Sequence, residues 1–220
     1  MSTYPTLLEE IIIDNNLYKR GEQIGKGSYG VIYKYNIEKS KTVDNSLDTV
    51  EMLRPLDNTE SIVIKYGTKE KELYDKDLNN TKIILNKLQE GECGEYFSNF
   101  GIYKKDDQEY IIMENAPLGD LNNYIKEYNI NEDMWKYIHI QILTILKCLK
   151  QNYKDNYSIF MDYKPANILV YGSKDDPILK LGDVDSWGSN IFTKQYINES
   201  TRFNIFKLPK NEEPKSYLEN

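Results

Sequence analysis

Histidine and cysteine are the scarce residues of this 220-residue chain, which has one of the first and two of the second. With His139 alone, there is little material for Ser-His or Cys-His nucleophilic catalysis or for a histidine-rich metal centre. Cys93 and Cys148 stand too far apart for a CxxC redox motif or a zinc cluster, and a reducing, cytoplasmic setting is the simplest reading of the pair. Long apolar runs are missing too: Ile11, Ile12 and Ile13 are cut off by Asp14, well short of a bilayer span, and no basic leader precedes them. Positive charge is also in deficit. The net charge of −7 argues against the broad basic surface that phosphate backbones attract, so neither nucleic acid nor membrane is an expected partner. Chemistry must come from carboxylates, lysines and backbone amides.

What the chain does have suits a folded protein. Hydrophobic residues make up 40% and charged residues 29%, and the length suits one domain over 1–220. Residues 7–13 read as a short apolar helix or lead-in. Residues 18–25 and 31–37 read as two strands around a glycine turn, the second alternating with a period of two. Residues 39–60 look like a long polar loop. Ile62, Val63 and Ile64 mark a β-branched strand, a helical pattern follows at Ile83, Ile84 and Leu88, and residues 100–103 and 110–113 form a second hairpin. Asp120 is a potential N-cap before Leu121, Tyr124 and Ile125. The stripe Trp135, Ile138, Ile142, Ile145, Leu146 and Leu149 predicts a longer helix with one deeply buried face. His139, within that helix, reads as a packing residue, and the nineteen tyrosines are scattered in a way that packing explains better than base stacking.

Four segments carry chemistry. Gly25-Lys26-Gly27-Ser28-Tyr29-Gly30-Val31 lies between two predicted strands, where glycines let backbone amides approach phosphate oxygens. A dinucleotide-binding turn would open a helix, whereas here a strand follows. Lys65 ends the strand after Ile64, so its cation is presented from a rigid element. Asp162, Lys164 and Asn167 are grouped in Phe160-Met161-Asp162-Tyr163-Lys164-Pro165-Ala166-Asn167, and Leu179-Lys180-Leu181-Gly182-Asp183 follows as a strand ending in a carboxylate.

In this order, over residues 18–185, the segments resemble the glycine-rich loop, strand lysine, catalytic loop and metal-binding motif of protein kinases. The resemblance implies an α+β, two-lobed fold: a five-stranded antiparallel N-lobe and hinge over 1–116, and a reduced, mainly helical C-lobe over 117–220. It further implies ATP held by residues 25–31 and Lys65, with Met113 as gatekeeper, Glu114 and Ala116 offering backbone groups to adenine and Asp120 placed to reach the ribose. Asp162 would orient a substrate hydroxyl, Lys164 would approach the γ-phosphate, and Asn167 and Asp183 would ligate Mg2+. The activity implied is phosphoryl transfer to Ser/Thr hydroxyls of a protein substrate. The alternative is a weak or inactive pseudokinase that binds nucleotide and a partner protein.

The departures are specific. The family's His-Arg-Asp reads Phe160-Met161-Asp162, and Asp-Phe-Gly reads Asp183-Val184-Asp185. Thr81 stands where the helix glutamate that pairs with the strand lysine belongs, with Glu72 or Asp77 as substitutes from an earlier turn. No Ala-Pro-Glu motif and no run of later helices follows Asp185, so a partner chain completing the C-lobe is a further expectation.

Overall fold

The computed structural model describes residues 6–26, 30–42, 49–52, 60–67, 74–75, 78–79, 81–83, 93–105, 108–152 and 164–182. Its centre is an antiparallel sheet formed by β1 (Glu10–Ile13), β2 (Asn16–Lys26), β3 (Gly30–Thr42), β4 (Thr49–Met52), β5 (Ser61–Gly67), β6 (Phe100–Lys105) and β7 (Gln108–Glu114). The spatial order is β1-β2-β3-β5-β7-β6-β4. The five expected strands are present, but the expected count is corrected to seven, with one addition at each edge. Residues 10–13, expected as helix or lead-in, form β1 because Asp14 and Asn15 both take positive φ (48° and 63°). They make a two-residue connection that pairs Ile13 with Asn16, the tight hairpin that Asx residues tolerate. The polar stretch expected to be all loop contributes β4, which covers the outer edge of β6 from Thr49↔Lys104 to Met52↔Gly101.

After β7 the chain turns into α1 (Leu121–Glu127) and α2 (Glu132–Asn152), followed by a separate hairpin of β8 (Ile168–Ser173) and β9 (Asp176–Leu181). Asp120 caps α1 as expected, its Oδ1 accepting the Asn123 amide at 2.8 Å. At α2, the Asn131 side chain accepts from Met134 N, and Glu132 and Asp133 sit in the first turn, where the helix dipole favours negative charge. The predicted stripe of α2 is buried at Ile138, Ile142 and Ile145. The side chain of Gln141 satisfies the edge of β9 from both ends of its amide: Nε2 donates to Pro177 O (2.8 Å) and Oε1 accepts from Leu179 N (2.9 Å). His139 bonds within its own helix, Nδ1 lying 2.7 Å from Trp135 O. None of the described helices is long and apolar enough to cross a membrane.

Two cores flank the sheet. One, on the helical side, joins Phe97, Phe100, Ile102 and Ile111 to Leu121, Tyr124, Ile138, Ile142, Ile168 and Leu181. The other gathers Tyr18, Tyr35, Tyr66, Tyr103 and Tyr110 with Ile11, Ile13, Ile62, Ile64 and Ile112, so packing does account for many of the tyrosines. The two cysteines, read from their separation as pointing to a reducing setting, meet in the fold: Cys93, which is buried, and Cys148 of α2 are joined as a disulfide across 55 residues of sequence. Separation along the chain, on which the reading of a reducing setting rested, says nothing about separation in space.

Candidate functional site

In an antiparallel pair, directly opposed residues share a face, so the register sorts the expected site residues. Lys65 opposes Ile32 on one side and Ile111 on the other, while Val63 opposes Met113. Gly25 opposes Ile32 in turn. Gly25, Ile32, Val63, Lys65, Ile111 and Met113 therefore lie on one face, the face that continues into the helical-side core through Phe100 and Ile102. Lys65 and the expected gatekeeper Met113 are brought together on it.

Val31 is not on that face. It opposes Tyr66 and packs against the tyrosine-rich core, and Lys26 opposes Val31. Of the two neighbours, Ile32 and not Val31 shares the Lys65 face, because a shift of one residue in a strand exchanges the faces. The period of two, counted back from Lys65 through the pairing, is the signal that would have found Ile32. Gly27, Ser28 and Tyr29 lie outside the described residues. Gly30 has a structural reason of its own, since a Cβ there would collide with the Tyr66 carbonyl on the neighbouring strand.

Beyond β5, Tyr74 reaches back with its hydroxyl to Lys65 O (3.4 Å) and Glu109 O (3.1 Å), tying the helical residues 74–75 to the sheet. Thr81 is buried. Glu72 and Asp77, the proposed substitutes for the family's helix glutamate, lie outside the described residues.

At the end of β7, the Glu114 amide donates to Asn99 O at 2.7 Å, and the Ala116 carbonyl accepts from Gly119 N at 3.1 Å. The backbone then pairs with β8: Leu118 N donates to Val170 O, Val170 N donates to Gly119 O, and Asp120 bridges Leu169. Both Asp120 carboxylate oxygens are engaged by Asn123, so capping is the role seen for this side chain. Ile168 and Val170 point into the core, which sends Leu169 and Tyr171 to the opposite face, toward the β7–α1 connection. Leu169 is a second residue that motif spacing passed over, because it lies outside the signature positions.

Asn167 and the residue that follows β9 approach each other through the backbone. Lys164 and Asn167 bracket a single 3-10 turn started by Pro165, with Asn167 N bonded to Lys164 O at 2.8 Å. Gly182 N, one residue before Asp183, donates to Asn167 O at 3.0 Å. Asn167 is buried, and a Cβ on Gly182 would overlap the Leu169 side chain, so the close approach of β9 to Leu169 requires glycine. Asp162 and Asp183 lie outside the described residues, among which no cluster of three His, Cys, Asp or Glu side chains occurs. A hard cation takes oxygen donors. The Asn167 side-chain amide oxygen is a donor of that type.

No family model matches the chain. Over 161 residues, 71% of its length, it is 30% identical to the serine/threonine-protein kinase KIC1 of Saccharomyces cerevisiae, of which it spans 12%. Over 169 residues it is 26% identical to the serine/threonine-protein kinase atg1 of Dictyostelium discoideum, of which it spans 22%. Among solved structures, that of Rad53 1-466 in complex with AMP-PNP superposes with a TM-score of 0.51 at 22% identity, covering 80% of this chain and 39% of that one. The chain thus spans less than a quarter of either curated relative.

Proposed function

From the premise that this chain is related to the protein-kinase superfamily, we propose that it binds ATP with Mg2+ and transfers the γ-phosphoryl group to Ser/Thr hydroxyls of protein. The observation that carries the reading is the shared face of Lys65, Ile32 and Met113, ending at the backbone of Glu114 and Ala116. On it Lys65 meets the α- and β-phosphates, Ile32 from above and Leu169 from below enclose the adenine, and Glu114 O and Ala116 N bond its edge. Magnesium held by Asn167 and Asp183 would neutralise charge on the phosphate oxygens. Asp162 orients the acceptor hydroxyl and takes its proton, and Lys164 lies beside the transferring group. AMP-PNP is the ligand of the Rad53 structure, and its binding supports the same nucleotide class here.

A second reading, a nucleotide-binding pseudokinase acting through a partner protein, is favoured by buried Thr81 at the place of the family's helix glutamate. One experiment separates the two: transfer of labelled γ-phosphate from Mg-ATP to the protein itself and to Ser/Thr-rich acceptors, beside Asp162→Asn. Transfer that is lost in the variant establishes the enzyme. Nucleotide binding without transfer establishes the pseudokinase. Absence of any melting shift at millimolar Mg-ATP, where saturation at a hundred times Kd should stabilise by about 2.7 kcal/mol, overturns both.

A further inference from the structure

Four side chains, Ser98, Glu114, Tyr171 and Lys180, form one circuit between the β7–α1 connection and β9. Ser98 is fully buried, and its Oγ lies 2.7 Å from the hydroxyl of Tyr171. Tyr171, itself buried on β8, donates to the Glu114 carbonyl at 3.3 Å. Ser98 N is bonded to Leu181 O at 2.8 Å, and Glu114 N to Asn99 O at 2.7 Å, so the residues just before β6 grip both ends. Lys180 closes the circuit: its Nζ is 3.3 Å from Glu114 Oε2 and 4.6 Å from the centre of the Tyr171 ring. The Lys180 and Glu114 side chains are only 19% and 17% exposed.

Such a set is a poor way to gain stability. Apolar groups of the same volume fill a buried position as well or better, whereas a buried polar circuit is satisfied in one arrangement only. The proton directions are consistent around it. With the Tyr171 proton on Glu114 O, Ser98 donates to the Tyr171 oxygen. Burial raises the proton affinity of Tyr171, so it remains a neutral donor at physiological pH. A carbonyl has two lone pairs, and the one that Tyr171 leaves on Glu114 O has its direction fixed by the one it takes.

We propose that Tyr171 and Lys180 are positioning residues that set the separation between the adenine-binding backbone at Glu114 and the magnesium end at Asn167. The inference rests on the nucleotide site assigned above. Neither residue touches the reacting atoms. They act through Glu114 and Leu181, which makes the distance from adenine edge to metal a property of this circuit.

The test is Mg-ATP affinity of Tyr171→Phe, Lys180→Met and Lys180→Arg, with Ile138→Val as a core-loosening control remote from the circuit. Tyr171→Phe and Lys180→Met should each raise Kd about tenfold, Lys180→Arg should recover most of the loss, and Ile138→Val should lower Tm with Kd unchanged. A wild type that binds while both circuit variants keep its Kd within twofold overturns the proposal, whatever their Tm. A wild type that does not bind removes the nucleotide site, and hydrogen exchange of the free protein then decides. Faster exchange at the Ser98 and Glu114 amides in Tyr171→Phe supports the mechanical link, and unchanged exchange overturns it too. Should Tyr171→Phe fail to fold, Lys180→Met carries both readouts.

Discussion

The same strands present two opposite surfaces, and their chemistry differs. Toward the helices, alternate residues supply Ile32, Val63, Lys65, Ile111 and Met113, a mixed surface with a cation at its centre. On the other face, the intervening residues Tyr35, Ile62, Ile64, Tyr66, Tyr110 and Ile112 are sealed. The N-terminal residues strap over them. Tyr35 donates to Leu8 O, Leu8 N donates to Tyr66 at 3.2 Å, and Tyr110 donates to Thr6 O at 3.1 Å. A sheet with one face given to stability can leave the other for chemistry, because alternation keeps substitutions on the two faces largely independent.

That independence can be broken or sharpened by experiment. The largest effect belongs to Ile64→Ala, which empties a fully buried position of the sealed face and should cost about 2–5 kcal/mol of unfolding free energy in denaturant titration. Per mole of folded protein, Mg-ATP affinity should be unchanged. Next is Tyr35→Phe, which leaves Tyr66 and the Leu8 carbonyl short of a partner in a buried setting. About 1–3 kcal/mol should be lost, again with nucleotide affinity kept.

A smaller effect is expected at Glu109, on the Lys65 side of β7. Burial pushes its proton affinity up, but hydrogen bonds from Lys82 (2.6 Å) and Lys104 outweigh burial and leave its pKa below the ordinary value. A depressed carboxylate pKa stabilises the fold above the unfolded value, near pH 4.3, and the stabilisation disappears as pH falls through the folded value. Glu109→Gln should flatten that acid limb by less than about 1 kcal/mol, discounted because the partners are partly exposed. The smallest stability change, within about 0.5 kcal/mol, is expected for Lys65→Met, which should nevertheless abolish the melting shift with Mg-ATP. Loss of the shift in Ile64→Ala but not in Lys65→Met would invert the assignment of the faces.

Much of this contrast was legible in the sequence. Lys65 after a β-branched run, the hairpin around residues 104–108 and the spacing of Ile138, Ile142 and Ile145 each announce their element through a local period. The likeness to kinases was legible because its motifs are local strings in a fixed order. What escaped notice is mostly non-local, with one local turn beside it. β4 forms only because β6 offers an open edge, and β1 only because Asp14 and Asn15 accept positive φ. Ile32 was passed over for Val31 because facing depends on register, which no single strand reveals. Ser98 and Tyr171 are 73 residues apart and belong to no motif, so their meeting is a product of the fold alone.

The bond between Cys93 and Cys148 also changes the topology of the chain. It closes a covalent ring that contains β6, β7, the connection to α1, all of α1 and most of α2. A peptide bond cut anywhere inside the ring leaves two pieces that stay covalently joined until a reductant is added, whereas a cut outside it leaves pieces held only by non-covalent contacts. Only in thiol-free conditions, then, does the molecule keep the segment from β6 to α2 covalently tied after a cut within it.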